Sequence, residues 1–294
     1  MILKNRDTDK RQIEELKKLI SYDIAPKQKF LIQRALNAVK AGASGEDDAA
    51  YFINFYYGNS KNWVIIHDLR IVHEGNTAQI DHLLINRLYD FYILESKSYK
   101  NGIKITENGE FEALYKNKYY GIPSPVEQNK RHIHLLDKFL RQNDILPKRI
   151  GITIKPKYFN YILISPRSII KRPNSKKFDT KNIIKADTIQ TEIKKNADNI
   201  PISEIGSIVK LSAFSTIETM AKKIVSNHKP ITINWRAKFG VKYQTHNDAQ
   251  KNNTAKSFCA KCKADVSEKV AKFCWDNKTK FKGRVYCFSC QKTY

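Results

Sequence analysis

The spacing of apolar positions gives helices first. Ile13, Leu16 and Ile20 form one stripe at helical spacing, and Ile32, Ala35, Leu36 and Val39 form a fuller one after Pro26. A Gly-Ala-Ser-Gly stretch at 42–45 reads as a break, and a third helix follows over about 46–57, rich in aromatic residues and opening on Glu46. An acid at the positive end of a helix is favourable there without any further role. The β-branched content of 63–72 then predicts a strand, Glu-Gly-Asn at 74–76 a turn, and QIDHLLINRLYDFYILESK over 79–97 a hairpin, so the three strands make a meander. Both faces of the last two strands are apolar, with Ile80 and Leu84 on one and Leu83 and Ile85 on the other. That pattern predicts helices on both sides of the sheet.

Further short antiparallel strands are expected over 103–120, interrupted by Asn108-Gly109. Ser124-Pro125-Val126-Glu127 has the form of a capping box with proline at the first helical position, and the helix it starts runs to about Arg141. Gln128 falls in its first turn, where a solvated polar residue is ordinary. A strand over 158–165, a basic loop over 167–179, an edge strand over 182–185 and helices over 186–199 and 203–225 complete this part. The charges of that loop read as solvated first and as contacts to a nucleic-acid backbone second. Residues 242–256 are polar and without period, which predicts a linker.

The hairpin changes the picture because it places charge where apolar residues belong. A turn symmetric about Leu88 sets Ile85 opposite Phe91, Leu83 opposite Ile93, Asp81 opposite Glu95 and Gln79 opposite Lys97, all on one face. Opposed side chains sit roughly 4.5–5.5 Å apart at Cβ, and like charges so placed are destabilising. A divalent cation between the two acids would offset that cost, with Lys97 beside any water bound to it. His82 points to the other face from Asp81, and His67, His73, His132 and His134 show no ligand geometry in the sequence.

Charge and cysteine narrow the partners. Lys and Arg number 53 against 29 Asp and Glu, for a net charge of +24 and a pI near 9.7. Such an excess points to a polyanion, with nucleic acid ahead of an anionic membrane. No stretch reads as a signal peptide or a membrane span, so the expected compartment is the cytoplasm. Four of the five cysteines form Cys259-x-x-Cys262 and Cys287-x-x-Cys290. Paired thiolates at this spacing build tetrahedral zinc sites, and a short segment with little apolar content needs one to fold; a redox pair is the alternative. Cys274 reads as a small buried apolar residue. Residues 229–294 carry 15 Lys and Arg against 4 acids, with Phe273, Trp275, Phe281, Tyr286 and Phe288 interleaved. That mixture suits a nucleic-acid grip, although aromatic residues also serve as the core of a zinc module.

The runs GNTAQIDHLLIN, DFYILESKSYKNG and PVEQNKRHIHLL resemble the NERD (nuclease-related domain) family over about residues 43–165. Asp81, Glu95 and Lys97 match the PD-(D/E)xK pattern of its superfamily, with Ile80 in place of the proline. The resemblance implies an α/β fold with a restriction-endonuclease-like core, an αβββαβ mixed sheet flanked by helices, here with N-terminal helices and a small C-terminal zinc-binding domain. It divides the chain into a helical extension (1–42), a nuclease domain with a helical C-terminal part (43–228), a linker (229–256) and a zinc module (257–294), the last similar to a cysteine-rich module found in some bacterial members. It further implies phosphodiester hydrolysis with Asp81 and Glu95 holding Mg²⁺ or Mn²⁺. Lys97 would orient the attacking water and the scissile phosphate, and Glu46 and Gln128 would complete the site from two helix starts. Cys259, Cys262, Cys287 and Cys290 would hold structural Zn²⁺. The expected partner is DNA, with no membrane, while a homo-oligomer or protein partner is left open. The competing reading is a nucleic-acid-binding protein whose nuclease-like fold is catalytically silent.

Overall fold

The computed structural model describes residues 1–7, 10–198, 212–241 and 257–293. They form two units, Met1–Phe239 and Gly240–Tyr294. The first runs β1 (Ile2–Lys4), α1 (Lys10–Ile20), α2 (Pro26–Tyr57), β2 (Trp63–His73), β3 (Asn76–Asn86), β4 (Asp90–Lys97), β5 (Ile103–Ile105), β6 (Phe111–Tyr115), β7 (Lys118–Ile122), α3 (Pro125–Gln142), β8 (Lys148–Arg149), β9 (Ile152–Thr153), β10 (Lys157–Ile164), β11 (Ile170–Lys171), β12 (Ile183–Lys185), α4 (Ile189–Asp198), α5 (Phe214–Ser226) and α6 (Trp235–Lys238). The second contains β13 (Ser257–Phe258), β14 (Asp265–Val266), α7 (Glu268–Asp276), α8 (Lys278–Phe281) and α9 (Phe288–Gln291).

The fold is mixed α/β. Its main sheet has the order β1-β2-β3-β4-β10-β12; the meander β2–β3–β4 is antiparallel, and β1, β10 and β12 each lie parallel to their neighbours. The connection from β4 to β10 carries β5, β6 and β7 and then α3; with β11, which follows β10, those strands form a second sheet of order β11-β5-β6-β7. Alternation along the strands buries both faces, as the sequence suggests. Leu83, Ile85, Phe91 and Ile93 pack with Leu136 and Phe139 of α3 and with Ile217 and Ile224 of α5. Ile65, Leu84, Tyr92 and Leu94 pack on the other side with Ile53 and Tyr57 of α2 and with Ile189 and Ile193. Half of the expected capping box is present: Ser124 accepts a hydrogen bond from the Glu127 N–H at 3.3 Å and Pro125 opens α3, while the Glu127 carboxylate takes Lys130 at 2.7 Å.

Several expectations are corrected. Residues 42–45 do not break the helix: α2 runs unbroken through them, so Glu46 lies deep inside it and not at a helix start. Gly45 is needed for close approach instead, because a Cβ there would stand 2.8 Å from Ser98 Cβ beyond the end of β4. A division of the chain at 42 therefore cuts through a continuous helix. The sequence reading also missed β1, which adds an edge to the sheet. Within the stretch expected as linker from 229, α6 belongs to the first unit and buries Trp235. The first part of the helix expected over 203–225 and the linker at 242–256 lie outside the described residues, while α5 accounts for the remainder of that helix.

Gly45→Ala should lower stability by about 1–3 kcal/mol, the usual cost of overpacking. Gly42→Ala, whose added methyl meets nothing closer than the Glu46 Oε1 at 4.0 Å, should raise it by roughly 0.5–1 kcal/mol, since alanine is the better helix former. Chemical denaturation of the two variants measures both. Equal effects would remove the close-approach explanation.

Candidate active site and metal centre

The main sheet opens at Asp81. The β3–β4 ladder follows the expected register, pairing Ile85 with Phe91 and Leu83 with Ile93, but it ends at His82 and Leu94. On the other side, β2 pairs His67 with His82 and Leu69 with Ile80 while skipping Asp68 and Asp81. Asp68 lies in the left-handed region, with φ at 53°. Asp81 is thus released from regular pairing on both sides. Its Oδ2 accepts the backbone N–H of Ser96 at 2.7 Å in place of the expected ladder contact with Glu95.

A cleft of about 450 Å³ opens at this fork. It is lined by Ala41, Gly42 and Glu46 of α2, Gln79 and Asp81 of β3, Glu95 and Lys97 of β4, and Gln128 and His132 of α3, among others. All five residues expected at the site, Asp81, Glu95, Lys97, Glu46 and Gln128, line it together. Glu95 is buried, and its Oε1 accepts from Lys97 Nζ at 2.5 Å and from Gln128 Nε2 at 2.8 Å. Glu46 is held by Arg6 Nη2 at 2.6 Å, and Arg6 also pairs with Asp47. Gln79 does not face Lys97; its amide donates to Asp68 at 3.1 Å.

Electrostatics at the fork follow from crowding. Burial raises the Asp81 carboxyl well above the ordinary range, and the charges of Glu95 and Glu46 add to it, while the Ser96 N–H and Lys97 oppose them. Glu95 is raised as well, chiefly by burial, against the charge and hydrogen bond of Lys97 and the hydrogen bond of Gln128. The donor set is therefore oxygen-rich and short of positive charge, and Glu95 Oε2 is buried with no hydrogen-bond partner. Such donors suit a hard divalent cation. As packed, the acids of the cleft do not gather three ligand atoms as closely as a closed site would: among the described residues, only the cysteines below do so.

Two histidines correct or complete the sequence reading. His132, assigned no ligand geometry there, lines the cleft, with Nδ1 3.7 Å from Glu95 Oε2. The available signal was its spacing, since it lies four residues beyond Gln128 and so on the same face of α3. His82 does face away from Asp81. With Asn54 Oδ1 accepting from His67 Nε2 at 2.9 Å, His67 Nδ1 accepts from His82 Nδ1 at 2.7 Å, and His82 Nε2 accepts from the Ser96 hydroxyl at 2.9 Å. Burial depresses both rings, His67 to about 4 and His82 well below its ordinary value, so this chain is neutral. It anchors from behind the residue whose N–H holds Asp81. Arg6, which secures Glu46, carries no recognisable signal in the sequence.

In the second unit, one ligand atom from each of Cys259, Cys262, Cys287 and Cys290 lies within 4.8 Å of the others, a set that could hold a metal such as zinc. All are free thiols. Burial opposes ionisation of Cys259, but the backbone N–H groups of Cys262, Cys287 and Lys261 bring it down to about 6, whereas Cys290 is pushed up to about 12, first by its hydrogen bond with Cys287. A cation is what lets all four ionise together. Cys274 is fully buried among Val266, Ala271, Phe281 and Tyr286 and accepts from the Tyr286 N–H at 3.4 Å, as a core residue. Phe281 and Tyr286 are core, while Phe273, Trp275 and Phe288 are exposed.

Residues 41–166 match the NERD family, Nuclease-related domain. No curated protein and no solved structure matches the chain. The matched span contains Glu46, Asp81, Glu95, Lys97, Gln128 and His132, and it suggests a nuclease-related function with a nucleic-acid substrate. No helix among the described residues is long and apolar enough to cross a membrane.

Cys287→Ser or Cys290→Ser should release about one equivalent of zinc, because three thiolates no longer close a tetrahedral site. The second unit should unfold while the thermal transition of the first is unchanged. Metal analysis with calorimetry checks this, and full zinc retention in either variant would remove that cysteine from the ligand set.

Proposed function

We propose that the chain is a metal-dependent endonuclease of the PD-(D/E)xK type, acting on DNA. The observation that carries this reading is the meeting of Asp81, Glu95 and Lys97 in one cleft at the point where the sheet opens. The order helix, three-stranded meander, helix, strand, seen in α2, β2–β4, α3 and β10, supports a restriction-endonuclease-like core. Asp81 and Glu95 would hold Mg²⁺ or Mn²⁺. When bound, the ion would lower the pKa of a coordinated water and offset charge on the phosphoryl oxygens. Lys97, at the mouth side of Glu95 and part-exposed, would orient that water and balance charge on the scissile phosphate. Gln128 holds Glu95 by its amide, and Glu46, secured by Arg6, adds negative charge on the α2 wall of the cleft. Structural Zn²⁺ would hold the second unit together, and its basic, partly aromatic surface would grip the phosphate backbone.

The second reading is a nucleic-acid-binding protein with a silent nuclease-like fold. One observation favours it: the Lys97–Glu95 ion pair closes part of the cluster without a metal.

Plasmid, linear and single-stranded substrates with Mg²⁺, Mn²⁺ or chelator separate the two readings. Asp81→Ala, Glu95→Ala and Lys97→Ala should each lower metal-dependent cleavage by on the order of 10²–10³-fold or more with DNA affinity largely kept. Glu46→Gln and Gln128→Ala should cost roughly ten-fold, the scale of residues one step removed from a metal. Full activity in all three alanine variants would end the assignment.

Deletion from Lys242 onward should weaken DNA binding and flatten its salt dependence, because fewer counterions are released, while cleavage at saturating DNA survives. An unchanged affinity and salt slope would mean that the second unit serves a protein partner. Loss of cleavage at saturating DNA would mean that it helps to build the active site.

A further inference from the structure

Two polar atoms at the floor of the cleft face each other with no hydrogen-bond partner. Glu95 Oε2 and His132 Nδ1 are both buried, both unpaired, and 3.7 Å apart. That separation exceeds a hydrogen bond, which runs about 2.7–3.2 Å between these atom types. Nothing else on Glu95 is idle, since its Oε1 already takes Lys97 and Gln128. The placement of His132 is also built in: helix α3 carries it one turn beyond Gln128, and the two residues share the face turned to β4. Buried polar atoms in native proteins are almost always satisfied, so a facing pair of orphans in a polar cleft marks a place for a ligand. A single cation can contact both atoms at the roughly 2.1 Å typical of nitrogen and carboxylate ligands.

We infer that His132 Nδ1 and Glu95 Oε2 bind the catalytic cation together, so that the site carries a nitrogen ligand and prefers a first-row transition ion such as Mn²⁺ to Mg²⁺. The inference rests on the metal-dependent nuclease reading and deepens it. Mg²⁺ takes oxygen ligands and gives up its water reluctantly, whereas imidazole is a good ligand for first-row divalent ions. His132 is the histidine that lines this cleft; His67 and His82 are engaged with each other behind the sheet.

The test is Mn²⁺ binding to the full chain with its cysteine site already loaded with zinc, read by pulsed electron paramagnetic resonance and by titration calorimetry. The wild-type spectrum should show nitrogen hyperfine coupling to bound Mn²⁺. His132→Ala and His132→Gln should abolish the coupling and weaken Mn²⁺ by about ten-fold or more, with Mg²⁺ weakened by less than about three-fold, as expected if nitrogen is what discriminates the two ions. Glu95→Gln should weaken both ions. Mn²⁺ that binds in a Glu95-dependent way without nitrogen coupling would overturn the role of His132 and leave the nuclease reading standing. No Glu95-dependent binding of either ion would remove the metal site and the inference with it. Should the variants fail to fold, the wild-type spectrum still tests the inference, because bound Mn²⁺ without nitrogen coupling overturns it.

Discussion

The crowding of negative charge at the open end of the main sheet is the constraint around which the first unit is built. Asp81 and Glu95 stand where the strands would otherwise continue an apolar face, and Glu46 approaches them from α2. Burying like charges together is costly, and both carboxyls are raised accordingly. The compensation is unequal. Glu95 receives Lys97 and Gln128, whereas Asp81 receives one backbone N–H from Ser96. An arrangement that only served stability would replace such a pair with apolar side chains. Its presence in a densely packed core is a local conflict of the kind found at functional sites.

The rest of the fold makes that conflict tolerable. The sheet is closed by apolar layers on both faces, so the fork at Asp68 and Asp81 is a local opening in a rigid frame. Gly45 lets α2 approach the end of β4, and the small residues Ala41 and Gly42 keep that wall of the cleft low. On the reverse side, the neutral chain from the half-buried Asn54 through His67 and His82 to Ser96 satisfies three buried polar side chains without adding charge. Protonating either histidine would place a cation behind the site, which burial resists. Positive charge reaches the acids from Lys97 on Glu95, from Arg6 on Glu46 and from whatever enters the cleft.

What the sequence made legible was local. A turn symmetric about Leu88 was enough for the register of β3 and β4 as far as His82 and Leu94, where a slip by one residue would have moved every side chain to the opposite face. The capping motif at Ser124 and the two Cys-x-x-Cys pairs are likewise read from neighbours in the chain. What it concealed depended on distant partners. The pair of glycines at 42 and 45 reads as a break because the residue that demands close approach at Gly45, Ser98, is far away in sequence. Arg6 gives no sign that it will secure Glu46, and the three-residue β1 is too short to show a pattern. His132 was different: its helical spacing from Gln128 was visible, but only the packing of α3 against β4 shows that the spacing matters.

The chain as a whole is strongly basic, at +24, yet its cleft is acidic. A polyanion is attracted to the surface over a distance set by salt, about 10 Å at moderate ionic strength, but a phosphate entering the cleft meets Asp81, Glu95 and Glu46. Lys97 is already paired with Glu95, and Arg6 with Glu46, which leaves Asp81 with the Ser96 N–H. Under the nuclease reading, surface charge and bound cation thus act at different steps. The first brings the nucleic acid to the protein whatever the metal content, and the second decides whether a phosphodiester can approach the acids at all. Under that reading, binding without metal and cleavage only with it is the behaviour expected from this distribution of charge.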